Sequence, residues 1–444
     1  MAISLDFVFV LFSALVLRCL LFVFDIHNWI YTRIQFTTPI TSWKRVLEGL
    51  SLLDYGISPY SGDTVHESPL VLAFFHMFPS EGSNIRIPAI FVICDLLTGI
   101  VLYKSAQAHC KILLSRQQCD MKNYADKVDP ILLKPDNLEN IPVLVFASYL
   151  LNPFTLATCV AQSTGLITNL SVSLGLYCSL VGSTSLSMFF IAFAAHKSLY
   201  PVMLVIPLAL ILTQVKRIQD MRVSDVSCKS KTRSVISTIL WFVFWSGLLL
   251  CLSRAMFGSW QFLDATYGFT LRVPELTPNM GLFWYLFLEM FDHFREFFIL
   301  VFQLNAFFYI IPLFSLLRND PVFLFYTLSS VIAIFKSYPA FGDFSIPFAL
   351  LISWSHLYPY MRNVFFVSCM FLISSTLAPL FWYLWIYAGS ANANFFYAAT
   401  LAYSTAQIFL LGDVIFAFLR RNFDLKNGIS RTITEGERMT VMLK

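Results

Sequence analysis

Two asparagines one residue apart, Asn392 and Asn394, lie in the uncharged stretch Ala388-Gly389-Ser390-Ala391-Asn392-Ala393-Asn394-Phe395-Phe396. A primary amide donates and accepts hydrogen bonds without net charge. That chemistry suits sugar hydroxyls or a phosphate better than a metal ion. Trp382, Trp385 and Tyr387 precede the stretch, and Phe395, Phe396 and Tyr397 follow it. Rings that are part polar and part apolar prefer the headgroup level of a bilayer, so the loop is expected at a membrane surface. Taken locally, the same stretch also reads as a plain interfacial turn, with Gly389 supplying backbone freedom.

Ionisable residues inside apolar runs come next, because each costs about 2.5–3.5 kcal/mol on insertion. Glu289, Asp292, His293, Arg295 and Glu296 have spacings of three and four, which allow pairing on one helix face. They lack the His-Glu-x-x-His spacing of a zinc site and read as a self-neutralised cluster. Lys336 and Asp343 flank a turn and are expected to pair. Asp95 and Asp413 should face inward, with Arg18 bonded to one of them. His196 beside Lys197 reads as a helix cap. A hydrolase needs a nucleophile and a positioned base. The chain has no Gly-x-Ser-x-Gly and no Gly-x4-Gly-Lys-[Ser/Thr] loop. None of its nine cysteines has metal-ligand spacing, and no structural disulfide is expected. No catalytic residue, metal site or cofactor is assigned.

The elements that must position these residues are membrane helices. The 444 residues are 57% hydrophobic, 17% aromatic and 13% charged, about half the charge of a soluble domain. The net charge of +4 gives no reason to expect nucleic acid. At about twenty residues per crossing, twelve apolar segments are read as spans: 3–24, 85–104, 141–160, 164–182, 185–197, 199–215, 234–257, 290–317, 321–336, 344–358, 364–386 and 395–419. The first is read as a retained helix, not a cleaved signal. The Asn-x-Ser match at Asn169 falls inside a span and should stay unglycosylated.

With the N-terminus cytosolic, the loops 105–140, 216–233 and 318–320, the turn at Arg362 and the tail carry nineteen of the thirty Lys and Arg. This is the positive-inside bias. Lys216, Arg217, Lys229, Lys231 and Arg233 form the densest basic loop. It reads as a topogenic anchor or as a site for an anionic phospholipid headgroup. Two luminal stretches, about 25–84 and 258–289, are more than loops. In the first, Trp43, Val46, Leu47, Leu50 and Leu53 have helical spacing after Ser42 as N-cap, which predicts an amphipathic helix on the membrane. Pro69–Phe78 is apolar but too short to cross. The expected organisation is one all-α transmembrane domain over 1–420 and a short cytosolic tail over 421–444.

The stretch Ser42-Trp43-Lys44-Arg45-Val46-Leu47-Glu48-Gly49-Leu50-Ser51-Leu52-Leu53-Asp54, followed by Ser58-Pro59-Tyr60-Ser61-Gly62 and His66-Glu67-Ser68-Pro69-Leu70, resembles the PIG-U family of glycosylphosphatidylinositol (GPI) transamidase subunits. Leu150-Leu151-Asn152-Pro153, Ser198-Leu199-Tyr200-Pro201, Leu276-Thr277-Pro278-Asn279, Ile332 to Pro339 and Leu384 to Tyr397 extend the resemblance over nearly the whole chain. It implies a multi-pass protein of the endoplasmic reticulum membrane that receives and orients the GPI lipid. It also implies partner subunits, among them a caspase-like cysteine protease that supplies the nucleophile. In the family the two asparagines of the Asn-x-Asn loop contact GPI, and here they are Asn392 and Asn394.

The Ser-Pro-Tyr to Pro-Leu stretch is also similar to the first luminal loop of GPI mannosyltransferases, which have the GT-C fold. This supplies the alternative reading, a mannosyltransferase acting on a lipid-linked glycan within a GT-C-like bundle. Those enzymes carry an acidic pair early in that loop, whereas here Gln35 to Thr41 has none. Without paired carboxylates a metal or base role is unsupported. A transporter reading would need repeated halves or paired broken helices, which the sequence does not show.

Overall fold

The computed structural model describes residues 5–78, 85–126, 128–220 and 229–428. All regular structure among the described residues is helical. Seven helices are long and apolar enough to cross a bilayer: Leu5–Val23, Arg86–Asn123, Tyr200–Ile218, Arg233–Phe257, Asp292–Leu317, Val364–Ile386 and Ala393–Asn427. An eighth span is a pair, Ile141–Leu150 and Pro153–Val160, bent by 46°. The bend follows from Pro153, which cannot donate to the helix ladder. The Thr155 hydroxyl takes up the freed carbonyl of Tyr149 at 2.5 Å. The chain is thus an all-α polytopic membrane protein.

Four of the twelve segments expected to span form shorter or broken helices. Segments 164–182, 185–197 and 321–336 form helices of 17, 14 and 15 residues, and 344–358 breaks into Ser345–Leu351 and a 3-10 helix over Ile352–Tyr360. These are short for a crossing of about twenty residues. They tolerate it because protein shelters them: in Pro321–Phe335 every residue except Ile332 and Phe335 is buried. A helix apolar on all sides belongs inside a bundle.

Polar residues inside the bundle tie helices together. Arg18 donates through Nε to Asp95 Oδ2 at 2.8 Å and through Nη1 to the Ala14 carbonyl at 2.9 Å. The Tyr149 hydroxyl completes Asp95 at 3.0 Å. Asp413 instead accepts the backbone N–H groups of Arg362 and Asn363, both at 2.9 Å. Lys336 pairs with Asp343 at 2.6 Å, as expected. The 289–296 cluster forms only in part. Arg295 meets Asp292 at 2.6 Å, but the helix is interrupted between Leu288 and Asp292. Glu289 and His293 therefore do not share a helix face.

Two further boundaries differ from expectation. The stripe on Trp43–Asp54 faces protein: Trp43 packs edge-on to Phe75 and Phe91, with centroids 4.7 and 5.4 Å apart. Val46 is buried beside it, while Leu47 stays 38% exposed. The partner surface is Pro69–His76, whose own apolar residues need the same cover. At the other end, the last helix continues past 420 to Asn427. Arg421 donates to the Ile131 carbonyl at 2.9 Å and Arg420 pairs with Asp424 at 3.4 Å. Those contacts pack a turn whose polarity had read as tail. Residues 429–444 lie outside the described residues.

Candidate functional site

The penultimate helix Val364–Ile386 ends in a turn closed by Ala388 N–H to the Tyr383 carbonyl at 3.1 Å and Ser390 N–H to the Leu384 carbonyl at 3.0 Å. Gly389 sits at φ 64°, the left-handed region such a closure uses, with open space around it. The chain then runs extended through Asn392 and starts the last helix. Asn392 Oδ1 accepts the Asn394 backbone N–H at 3.1 Å, so Asn392 caps that helix. An N–H donor requires an oxygen opposite it, which fixes the orientation of this amide. Its Nδ2 is left with no partner among the described residues.

Asn394 Oδ1 accepts a hydrogen bond from the Tyr285 hydroxyl. Both asparagines are exposed. The structure therefore brings Asn392 and Asn394 together, engages their Oδ1 acceptors with protein and leaves their Nδ2 groups without a partner among the described residues. The N-terminus of a long helix adds positive potential at the same place. The arrangement can hold oxygen acceptors: hydroxyls, or better, phosphate oxygens.

A floor of rings fixes the loop. Trp284 is buried and lies 6.3, 5.9 and 5.5 Å, centroid to centroid, from Trp385, Phe396 and Tyr397. The Tyr397 hydroxyl donates to the Leu282 carbonyl at 3.2 Å. Sequence reasoning missed Tyr285 and Trp284, which come from the luminal segment 258–289 and not from the loop's flanks. It also missed Arg33. This guanidinium lies 4.1 Å over the Trp29 ring and 5.3 Å over the ring of Tyr387, the residue leading into the loop. Arg33 is 5% exposed, and its Nε has no partner among the described residues. Nothing in the local sequence marks it, since the signal is spatial.

The other candidates are engaged. His196 contacts Ser253 Oγ at 3.0 Å through Nε2 and the Tyr267 hydroxyl at 3.2 Å through Nδ1, so it bridges elements and does not cap. Lys197 holds Glu67 at 2.7 Å and Thr164 at 2.9 Å in a buried network. Glu67 and Asp343 are thus each paired with a lysine. His66 stacks on Phe269 at 3.4 Å and meets the Ala265 carbonyl at 2.8 Å. Burial pushes its pKa below the ordinary imidazole value. The eight described cysteines are free thiols, and Cys228 lies outside the described residues. Of the basic-loop residues, Lys216 is half-buried and Arg217 exposed. The side chains of Lys229 and Lys231 lie outside the described residues.

A family model described as GPI transamidase subunit PIG-U matches residues 12–403. The chain is 42% identical over 441 residues to the Homo sapiens GPI-anchor transamidase component PIGU, covering 98% of this chain and 99% of the relative. It is 32% identical over 399 residues to the Saccharomyces cerevisiae GPI transamidase component GAB1, covering 89% of each.

Proposed function

The chain belongs to the PIG-U family of GPI transamidase subunits, and from that premise we propose that it binds the GPI glycolipid and orients it for attachment to a protein C-terminus. The observation that carries this reading is the pair of exposed asparagines, Asn392 and Asn394, whose Nδ2 groups have no partner among the described residues, set at a helix N-terminus on an aromatic floor. The phosphates and sugars of GPI offer the oxygen acceptors this loop lacks. Arg33 beside Tyr387 supplies positive charge, and its Nε has no partner among the described residues. Holding the ethanolamine end in place would assist attack through orientation, an entropic contribution.

In this reading the subunit is non-catalytic. It works in the endoplasmic reticulum membrane beside the other subunits of the transamidase, with a caspase-like cysteine protease subunit as the bond-making partner. The absence of an acidic pair from Gln35 to Thr41 supports it over a mannosyltransferase, which would need carboxylates placed there to act as base or hold a metal.

The test is Asn392→Ala with Asn394→Ala in cells lacking the native protein. Removing two donors to a charged acceptor should lower productive GPI binding by at least about tenfold. Display of GPI-anchored proteins should fall with it while the complex stays assembled. Asn392→Ser is the control for the cap, because serine still caps a helix but carries no amide donor. It should reproduce part of the loss. Normal display by an intact complex carrying both alanines would exclude the site.

A further inference from the structure

The end of the bundle opposite Asn392 holds a cleft that the reading above leaves unused. Its outer part, about 960 Å³, lies among the last turns of Arg86–Asp120 and Val205–Asp220, the turn at Arg318–Pro321 and the end of the last helix at Lys426. An inner recess of about 80 Å³ shares the walls at Arg116, Asp120, Tyr124 and Gln214 and reaches His109, His356 and Arg421.

The charges do not balance. Arg116, Arg217, Arg318, Arg421 and Lys426 line the two parts, against the carboxylates Asp120 and Asp320. Arg116 already bonds Asp320 and lies 3.4 Å from Asp120. Arg217, Arg318 and Lys426 have no carboxylate partner among the described residues. Deeper in, Arg421 is 8% exposed and donates to a carbonyl, not to an acid. His356 Nδ1 is buried without a partner among the described residues. A recess with surplus cations, a buried guanidinium and an unpaired ring nitrogen fits a multiply hydrogen-bonding anion.

We propose that this cleft binds a phosphate-bearing anion, supplied by the headgroup of an anionic phospholipid in the leaflet at that end. Leu210, Ile218 and Pro321 give its mouth an apolar edge on which acyl chains can continue. Of the basic loop singled out in the sequence, Arg217 takes part. Arg318 and Lys426, distant in sequence, complete the set, and Lys216 does not line the cleft.

The test uses the full-length protein in its assembled complex, carrying Arg217→Gln, Arg318→Gln and Lys426→Gln. All three side chains are exposed, so the unfolding midpoint should not move. Short-chain phosphatidylserine should bind at least about tenfold more weakly to the variant, the scale expected for removing three surface cations. Short-chain phosphatidylcholine should show no such difference. Inorganic phosphate is the second arm. If it competes as fully as the lipid at equal concentration, the same phosphate chemistry is served by a soluble anion. Undiminished phosphatidylserine binding by the triple variant, or equal binding of the neutral lipid, overturns the proposal.

Discussion

Asn392 gives the two ends of one amide different tasks: Oδ1 starts the last helix, and Nδ2 has no partner among the described residues. The same economy marks Asp95, whose oxygens serve Arg18 from the first helix and Tyr149 from the bent span. Both partners of the Arg18–Asp95 pair are fully buried. Breaking such a pair strands a charge and destabilises by about 3–5 kcal/mol, whereas replacing both members with apolar residues can be close to neutral. Asp95→Ala is therefore expected to lower the unfolding midpoint sharply. Arg18→Leu combined with Asp95→Leu should recover most of that loss. Midpoints of both variants in one detergent, set against the native protein, check this. A double variant worse than Asp95→Ala would show that the pair is not what the two residues contribute.

At the scale of elements, the penultimate and last helices form a hairpin with the Asn loop at one end and Asp413 at the other. Asp413 accepts two backbone N–H groups just before Val364, so it caps the penultimate helix from its neighbour. Leaving those donors unpaired costs about 1–3 kcal/mol each. Asp413→Ala should lower stability by about 2 kcal/mol or more, and Asp413→Asn, which keeps one acceptor, by less. Denaturant titration of the two variants distinguishes them. Equal stability would mean that water replaces the carboxylate. The sequence marked Asp413 as inward-facing because a carboxylate in an apolar run needs a partner. It could not show that the partner was backbone, since Arg362 and Asn363 are fifty residues away. For the same reason the loop was legible and its support was not. Asn392, Asn394, Gly389 and the flanking rings are local, while Trp284, Tyr285 and Arg33 arrive by tertiary packing. Length was the least legible feature. Apolar runs such as Pro321–Phe335 read alike whether lipid or protein covers them, and only packing separates the two.

For the whole molecule, one helix sets the arrangement of both proposed sites. The last helix has 35 residues, about 52 Å at 1.5 Å per residue, well beyond a hydrocarbon core of about 30 Å. Its N-terminal end at Asn392 and its C-terminal end at Lys426 must therefore emerge on opposite faces of the membrane. On the cation bias read from the sequence, the Lys426 end is expected in the cytosol, because Arg318, Arg362, Arg420 and Arg421 gather there. The Asn loop is then expected on the lumenal face, where the proposed GPI site would have to lie. Protease protection in sealed microsomes decides the matter. An epitope inserted after Gly389, where the backbone is exposed and nothing packs against it, should survive protease until detergent is added. An epitope appended after Lys444 should be lost at once. The reverse pattern would put Asn392 and Asn394 in the cytosol, out of reach of a lumenal glycolipid. The cation-lined cleft would then face the lumen, where its anionic ligand would have to be sought.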